Sequence, residues 1–318
     1  MHELESVPET LQNCVLAIGN FDGCHLGHQR IFSSALDVAK AHNRPALVLS
    51  FEPHPRDIFA PKPFMFRLTD GQQKAQIVKA LGFDGIIIMP FDRDLATMEA
   101  QDFVQQYFID ALNVRAICVG EDFHFGKERK GTPEFLAHSG SKHGFEVHQL
   151  NLLVQGQETI SSSRIRKCLS EGGLNVANRL LNYHWIVEGI VIEGDKRGRE
   201  LGYPTANFTL PENSNLAQGV YAVRLKLGSR LFDGVASFGK PMFNNSQPPF
   251  EVHIFDFDED IYGQNIEVAL IEHIRGQMIF DNLDELIVQM DKDSEKARGI
   301  LSNIKPISAL DANRGIII

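Results

Sequence analysis

The chain has 318 residues, 43% of them apolar and 23% charged. That composition suits two packed domains and excludes wholesale disorder. Its 41 Asp+Glu against 31 Lys+Arg leave a net charge of -10, the wrong sign for a protein whose main partner is a nucleic-acid backbone, although a local basic loop can still hold one small polyphosphate.

The first residues, MHELESVPETLQN, are acidic and lack the apolar stretch of a secretory signal. CVLAIG, from Cys14 to Gly19, reads as a buried strand. A Gly/His loop follows, then a helix with Ile31, Phe32, Ala35, Leu36 and Ala39 on one face. ALVLSF (Ala46 to Phe51) is a second strand. Thr69 with Gln72 reads as a capping box opening a helix that Gly82 ends. GIIIM (Gly85 to Met89), a helix near Glu99 to Leu112, AICVG (Ala116 to Gly120), a helix capped by Thr132-Pro133, and FEVHQL (Phe145 to Leu150) come next. Strands alternating with helices imply a parallel sheet covered on both faces.

After about Asn182 the pattern changes. WIVEGIVIE, VYAVRLKLG, RLFDGVASF, FEVHIFDF and NIEVALIEHI are short strands separated by Gly, Pro or Asn, the pattern of an antiparallel barrel or sandwich. A helix over roughly Asn282 to Leu301 places Leu283, Leu286, Ile287 and Met290 on one face. The segment from Asn303 to Ile318 has no clear period, and its apolar end is left to dock or fray. The longest apolar runs, such as Gly85 to Pro90, are too short to span a bilayer, so no membrane partner is expected. Cys14, Cys24, Cys118 and Cys168 show no C-x-x-C spacing and read as reduced thiols of a cytoplasmic protein.

Two stretches carry candidate chemistry. The first, GNFDGCHLGHQ (Gly19 to Gln29), lies between the first strand and first helix. Strand carboxyl ends in parallel sheets bind ligands, and a helix N-terminus offers free N–H groups to phosphate. Gly19, Gly23 and Gly27 admit close backbone approach, and His25 and His28 can donate to phosphate oxygens, either of them cationic near pH 7. The competing reading is a pair of surface or metal-binding histidines, but a zinc site wants a third ligand. SFEPHP (Ser50 to Pro55), the basic run with Lys127, Arg129 and Lys130, and ISSSRIRKCLSEG (Ile160 to Gly172) accompany it; taken singly, these also read as a Pro turn, a solvated charge run and a capped helix. The second stretch, GDKRGRELGYPTANF (Gly194 to Phe208), is Gly-rich and basic, suited to a polyphosphate or to an ordinary hairpin. Thr205 and Asn207 offer neutral oxygens of the kind magnesium takes. Glu251 opens a later strand and, alone, reads as a solvent-facing acid.

Together these motifs resemble the bacterial bifunctional riboflavin kinase/FAD synthetase family. The resemblance runs from about Val15 to Arg298 through IGNFDGCHLGHQ, SFEPHP, GEDFHFG, ISSSRIR, GRELGYPTANF, GVYAV, EVHIFDFDEDIYG and FDNLDEL. It implies an α/β nucleotidylyltransferase domain with a Rossmann-like parallel sheet over 1–182. It also implies an antiparallel β-barrel riboflavin kinase domain with a C-terminal helix over 183–318. The barrel would phosphorylate riboflavin to FMN with ATP, and the α/β domain would adenylylate FMN to FAD and pyrophosphate. By that resemblance Glu251, His25, His28 and Arg166 are catalytic. Gly19, Asn20, Phe21, Asp22, Gly27, Ser162 and Ser163 would bind nucleotide in the first domain, and Gly194, Lys196, Gly198, Arg199, Pro204, Thr205 and Asn207 in the second. Asn20, Pro53, His54, Asp122 and Phe123 would meet flavin. Thr205 and Asn207 would hold Mg2+. Riboflavin, FMN and ATP are the expected partners, with no nucleic acid and with oligomerisation left open.

The chemistry asks for these residue types independently. A phosphate nucleophile is already ionised and needs alignment and charge stabilisation, whereas a neutral alcohol benefits from a carboxylate base. One stretch departs from the family. Ala236-Ser237-Phe238-Gly239-Lys240-Pro241-Met242-Phe243 stands where the family has a run like A-N-I-G-x-R-P-T-F. This leaves an adenylyltransferase alone, with the barrel as a flavin-binding or assembly module, as the alternative. A non-catalytic flavin sensor is a third reading, against which His25, His28, Thr205 and Glu251 speak.

Overall fold

In the computed structural model, which describes residues 7–62, 64–194, 198, 202–239 and 249–318, the chain divides into two compact units, Met1–Ser162 and Ser163–Ile318. The sequence reading divides the chain after Asn182 instead, the difference being two helices described below.

The first unit holds a five-stranded sheet of β1 (Val15–Ile18), β2 (Ala46–Glu52), β3 (Gly85–Pro90), β4 (Ala116–Gly120) and β5 (Glu146–Leu150), ordered β3-β2-β1-β4-β5. Every pair is parallel. β1 and β4 are buried along their whole length, as apolar runs without alternation should be in a sheet covered on both sides. Its crossover helices are α1 (Leu26–His42), α2 (Gly71–Ala80), α3 (Arg93–Thr97), α4 (Ala100–Phe103) and α5 (Pro133–His143). The order reverses between β1 and β4, so the loops after those two strands diverge and open a crevice there.

Local signals are mostly obeyed. Thr132 accepts from the Phe135 N–H at 3.2 Å, with Pro133 at the first helical position. The capping box is displaced by one residue from the predicted one. Asp70 accepts from the Gln73 N–H at 2.8 Å while Gln73 Oε1 accepts from the Asp70 N–H at 3.3 Å. Thr69 is engaged elsewhere, as the acceptor for the Gly23 N–H at 2.8 Å. The helix predicted near Glu99 is α4 continued by a π-helix, Val104–Ala111, a rare form that turns Val104, Tyr107 and Phe108 into the core.

The second unit begins with α6 (Ser162–Ser170), which straddles the division, and α7 (Leu174–Leu181). Six antiparallel strands follow: β8 (Ile186–Ile190), β9 (Ala206–Thr209), β10 (Gly219–Leu227), β11 (Arg230–Phe238), β12 (Pro249–Ile254) and β13 (Asn265–Arg275). Their order is β8-β13-β10-β11-β12-β9. A single bridge between Ile192 and Asn207, with the Ile192 N–H donating at 2.8 Å, nearly closes them into a barrel. β9 lies inside the stretch read from sequence as turn-rich loop. Its Ala-Asn-Phe-Thr run has no strand signature of its own and is held by pairing to β12.

Along β12, Phe250, Val252 and Ile254 are buried and Glu251 and His253 alternate to the other face. Phe250 meets Phe208 and Phe238 inside, with ring centroids 5.1 and 6.1 Å apart, so side chains fill the barrel as expected for so few strands. The last long helix, α8 (Leu283–Leu301), buries Asp293, Ala297 and Leu301. The predicted apolar face fares differently: Leu283 is 61% exposed, and Leu286, Ile287 and Met290 are half-buried. An ion pair supplies what the apolar pattern omitted, because Arg275 Nη2 donates to buried Asp293 at 2.7 Å.

The C-terminal segment docks. It forms α9 (Ala309–Asn313) and buries Leu310, Ile316 and Ile317, while Ile307 and Ile318 stay exposed. His184 Nδ1 lies 2.7 Å from Asp311 Oδ2, both residues being buried. Burial alone would raise the Asp311 carboxyl, yet bonds from His184 and from the Ile307 and His184 N–H groups leave it below the ordinary aspartate value. Among the described residues no helix is long and apolar enough to cross a membrane.

Candidate active sites

The loop after β1 is held in an unusual backbone conformation. Phe21 (φ 47°) and Cys24 (φ 39°) both occupy the left-handed region beside Gly23 (φ 80°), a strained arrangement for residues with side chains. The neighbouring chain holds it in place. The Leu68 and Thr69 N–H groups donate to Asp22 Oδ1 at 2.9 and 3.0 Å. Ser50 Oγ donates to the Asn20 carbonyl at 3.0 Å, and Ser162 Oγ to the Asp22 carbonyl at 2.8 Å. Thus Asp22 and Ser162, both expected at nucleotide, are brought together, and the Asp22 carboxylate accepts from the 68–69 backbone.

His25 caps α1. Its Nδ1 accepts from the His28 N–H at 3.4 Å, and the two imidazoles stack 3.6 Å apart, 18° from parallel. Gly27 makes this possible, because a Cβ there would sit 3.1 Å from the His25 ring. Gly19 is similar, since a Cβ there would lie 2.9 Å from the Phe21 ring, which meets the His28 ring edge-on at 5.2 Å. The His28 Nδ1 is buried and has no hydrogen-bond partner among the described residues. Burial, then the His25 and Lys74 charges, hold His28 well below the ordinary histidine value of 6.5. The expectation of a cation is therefore corrected at His28: its imidazole is neutral near pH 7 and meets an anion as a hydrogen-bonding group at a helix N-terminus.

Lys74 was not singled out from sequence. It lies on the same stripe of α2 as Ile77 and Val78, fully buried, and a lysine on an apolar stripe is the signal that would have found it. Its ammonium donates to Ser50 Oγ at 3.2 Å and Glu52 Oε1 at 3.1 Å, and Arg67 shares Glu52.

The expected flavin residues lie on loops after β2 and β4. Pro53 is exposed, and His54 Nδ1 accepts from the Arg56 N–H at 3.2 Å. Asp122 is exposed, with its carbonyl accepting from His124 at 2.8 Å. Phe123 is half-buried and stacks on Phe125 at 5.6 Å. In the basic run after β4, Lys127 pairs with Glu99 at 3.0 Å and Lys130 with Glu128 at 2.7 Å. On α6, Ser163 is exposed and Arg166 half-buried, both on the second unit's side of the division.

In the barrel, register assembles the site on the outer face. Glu251 pairs with Asn207 on β9 and with Ser237 on β11, and Ser237 Oγ lies 3.4 Å from Glu251 Oε2. Asn207 Nδ2 donates to the Thr205 carbonyl at 3.1 Å and Thr205 Oγ1 at 3.3 Å. A Cβ on Gly194 would lie 2.5 Å from that amide nitrogen, so Gly194 lets a second strand of backbone close over it. Thr205 Oγ1 and Asn207 Oδ1 are neutral oxygens of the type a hard divalent cation carried by phosphates takes, while the Asn207 amide nitrogen is the atom that faces Thr205. Pro204 is exposed and Gly198 half-buried. Lys196 and Arg199 lie outside the described residues, as do Lys240, Pro241, Met242 and Phe243.

Comparison with known proteins decides the family. A family model described as FAD synthetase matches residues 7–164, and one described as riboflavin kinase matches residues 181–301. The bifunctional riboflavin kinase/FMN adenylyltransferase of Haemophilus influenzae is 38% identical over 94% of this chain and 98% of its own length. The chain belongs to the bifunctional riboflavin kinase/FMN adenylyltransferase family. The protein of that name from Escherichia coli K12 is 35% identical over 96% of this chain and 98% of its own length. A crystal structure described as a macrolide-efflux protein from Streptococcus pneumoniae matches with a TM-score of 0.83 at 30% identity, over 94% of this chain and 97% of that chain. In this family member, the two-part architecture read from strand patterning is the observed one: a parallel sheet, then an antiparallel barrel with a helix after it.

Proposed function

We propose that this chain works as its family name describes, with ATP, riboflavin and FMN as substrates and the two chemistries lying either side of residue 182. At the barrel, the riboflavin 5′-hydroxyl oxygen attacks the γ-phosphorus of ATP. Glu251 takes the hydroxyl proton, the new P–O bond gives FMN, and ADP leaves. At the parallel sheet, an FMN phosphate oxygen attacks the α-phosphorus of a second ATP. The bond to the β-phosphate breaks, giving FAD and pyrophosphate.

What supports the kinase assignment most is the Glu251↔Asn207 register pair. It sets a carboxylate directly across the ladder from the asparagine of P-T-A-N, within the Cβ spacing at which cross-strand side chains meet. Thr205 and Asn207 would hold Mg2+, which offsets phosphate charge and orients the transferring group when bound. Glu251 contributes base catalysis, and Ser237 keeps a hydroxyl donor against it at the departure from the family run, which favours a working kinase over an adenylyltransferase alone.

At the first site no strong base is needed. His25 and His28 hydrogen-bond the phosphates at the α1 N-terminus, with Gly19, Asn20, Phe21 and Gly27 giving the backbone path. Ser162 adds a hydroxyl beside Asp22; Pro53, His54, Asp122 and Phe123 frame the flavin; and Ser163 and Arg166 keep the phosphate role that their motif implies. Alignment and charge stabilisation carry the rate. Both reactions consume ATP, and the buried thiols fit a reducing compartment, so we place the enzyme in the cytoplasm. Incubating the pure protein with riboflavin, ATP and magnesium, and separating flavins over time, tests the whole reading. FMN should rise first and FAD follow; FAD from supplied FMN, with none from riboflavin, would leave only the adenylyltransferase.

A further inference from the structure

β12 presents a second side chain beside Glu251 on the outer face, that of His253. The β9/β12 ladder ends at Ala206↔Val252. Two residues further back the chain reaches Pro204, whose ring nitrogen has no hydrogen to donate to a ladder. The Pro204 carbonyl instead meets His253 Nδ1 at 2.9 Å. A carbonyl only accepts, so Nδ1 carries the hydrogen.

The ring is held in place by its neighbours. Tyr203 lies against it at 4.9 Å and Phe255 meets it edge-on at 5.9 Å, while the Tyr203 hydroxyl hydrogen-bonds Asp291 on α8. The bonded carbonyl shares a peptide plane with the Thr205 nitrogen. Thr205 in turn accepts twice from Asn207. Contacts therefore run unbroken from His253 through Pro204 and Thr205 to Asn207, which faces Glu251 across the ladder.

We propose that His253 is a positioning residue for the kinase: its Nδ1–H fixes the Pro204–Thr205 peptide, so that Thr205 and Asn207 stand in place opposite Glu251 before nucleotide arrives. This rests on the kinase reading above. Two substitutions separate the hydrogen bond from mere bulk. His253→Asn puts an amide nitrogen on Cγ, where Nδ1 was. His253→Gln carries its amide one carbon further, toward the Nε2 position.

The first measurement is amide hydrogen exchange on the full-length, ligand-free chain, followed by mass spectrometry. Exchange over Gly202 to Phe208 should quicken about fivefold in His253→Gln, the effect of one lost hydrogen bond. It should stay near native in His253→Asn, with β10 unchanged in both. The second is steady-state kinetics. In the Gln variant the apparent KM for ATP should rise about tenfold, with the riboflavin KM and adenylylation of supplied FMN unchanged; the Asn variant should stay close to native. Equal defects in both variants, unchanged exchange over 202–208 in the Gln variant, or an equal rise in β10 would each overturn the proposal. If the native chain makes no FMN, the kinase reading fails, while the exchange difference still reports the clamp.

Discussion

The two sites solve the same problem, holding ATP against a flavin, with different parts of protein architecture. In the parallel-sheet unit the functional groups sit on loops and a helix start, at strand ends, where backbone N–H groups are unpaired. Those loops need scaffolding from outside themselves: Asp22 is spent on the 68–69 backbone, Ser50 and Ser162 on loop carbonyls. In the barrel the groups sit mid-strand on the outer face, and ladder register alone brings Ser237, Glu251 and Asn207 into one row. The first arrangement allows strained backbone and buried charge. The second offers rigid spacing and a half-buried carboxylate, matching the proton acceptor we propose for it.

The sharpest test of that division is Glu251→Ala. It should lower FMN formation by about a thousandfold, within the range for a lost general base, and leave FAD formation from supplied FMN intact. Loss of both activities would merge the two sites. Next in size is Asp311→Ala, which strands buried His184 and should cost about 3 kcal/mol. Calorimetry should show it as a lowered unfolding transition, with kinase activity lost first on heating and adenylylation persisting. His28→Ala should be the mirror of Glu251→Ala, reducing FAD formation by about a hundredfold with FMN formation preserved.

Smaller effects probe the two glycines that admit site side chains. Gly194→Ala would press on the Asn207 amide from 2.5 Å and Gly27→Ala on the His25 ring from 3.1 Å. We expect about tenfold loss of kinase activity from the first and a smaller loss of adenylylation from the second. A cross effect in either would break the comparison. The smallest concerns pH. His28 is held below 6.5 in the folded chain, so below that value the unfolded state binds more protons. Stability of the first unit should therefore rise as pH climbs toward about 6.5 and flatten above it. His28→Phe should shrink that slope in thermal scans across the range; an unchanged slope would mean another group is responsible.

Much was legible without coordinates. β4 falls where its five-residue apolar run predicts, and Thr132-Pro133 opens a helix. These are features decided within a turn or two of chain. The misses share one cause. Thr69 looked like a cap because its neighbours allow it, but Gly23, distant in sequence, claims its hydroxyl. β9 looked like a loop because its strand character comes from β12. The helical face of α8 was misjudged because Asp293 is buried only in company with Arg275, and the final segment looked undecided because its anchor, His184, lies far back along the chain.

The sequence by itself determined the alternation of strand and helix, the change to short strands near Asn182, and which residue types could handle phosphate and a hydroxyl proton. Hydrophobic period and turn chemistry are local properties, and they carry that much. Only the tertiary structure decided that His28 is neutral, that Lys74 lies buried on α2 bonded to Ser50 and Glu52, and that Glu251, Asn207 and Ser237 share one row. Burial and strand register depend on residues remote in the chain, and neither is written in any single stretch of it.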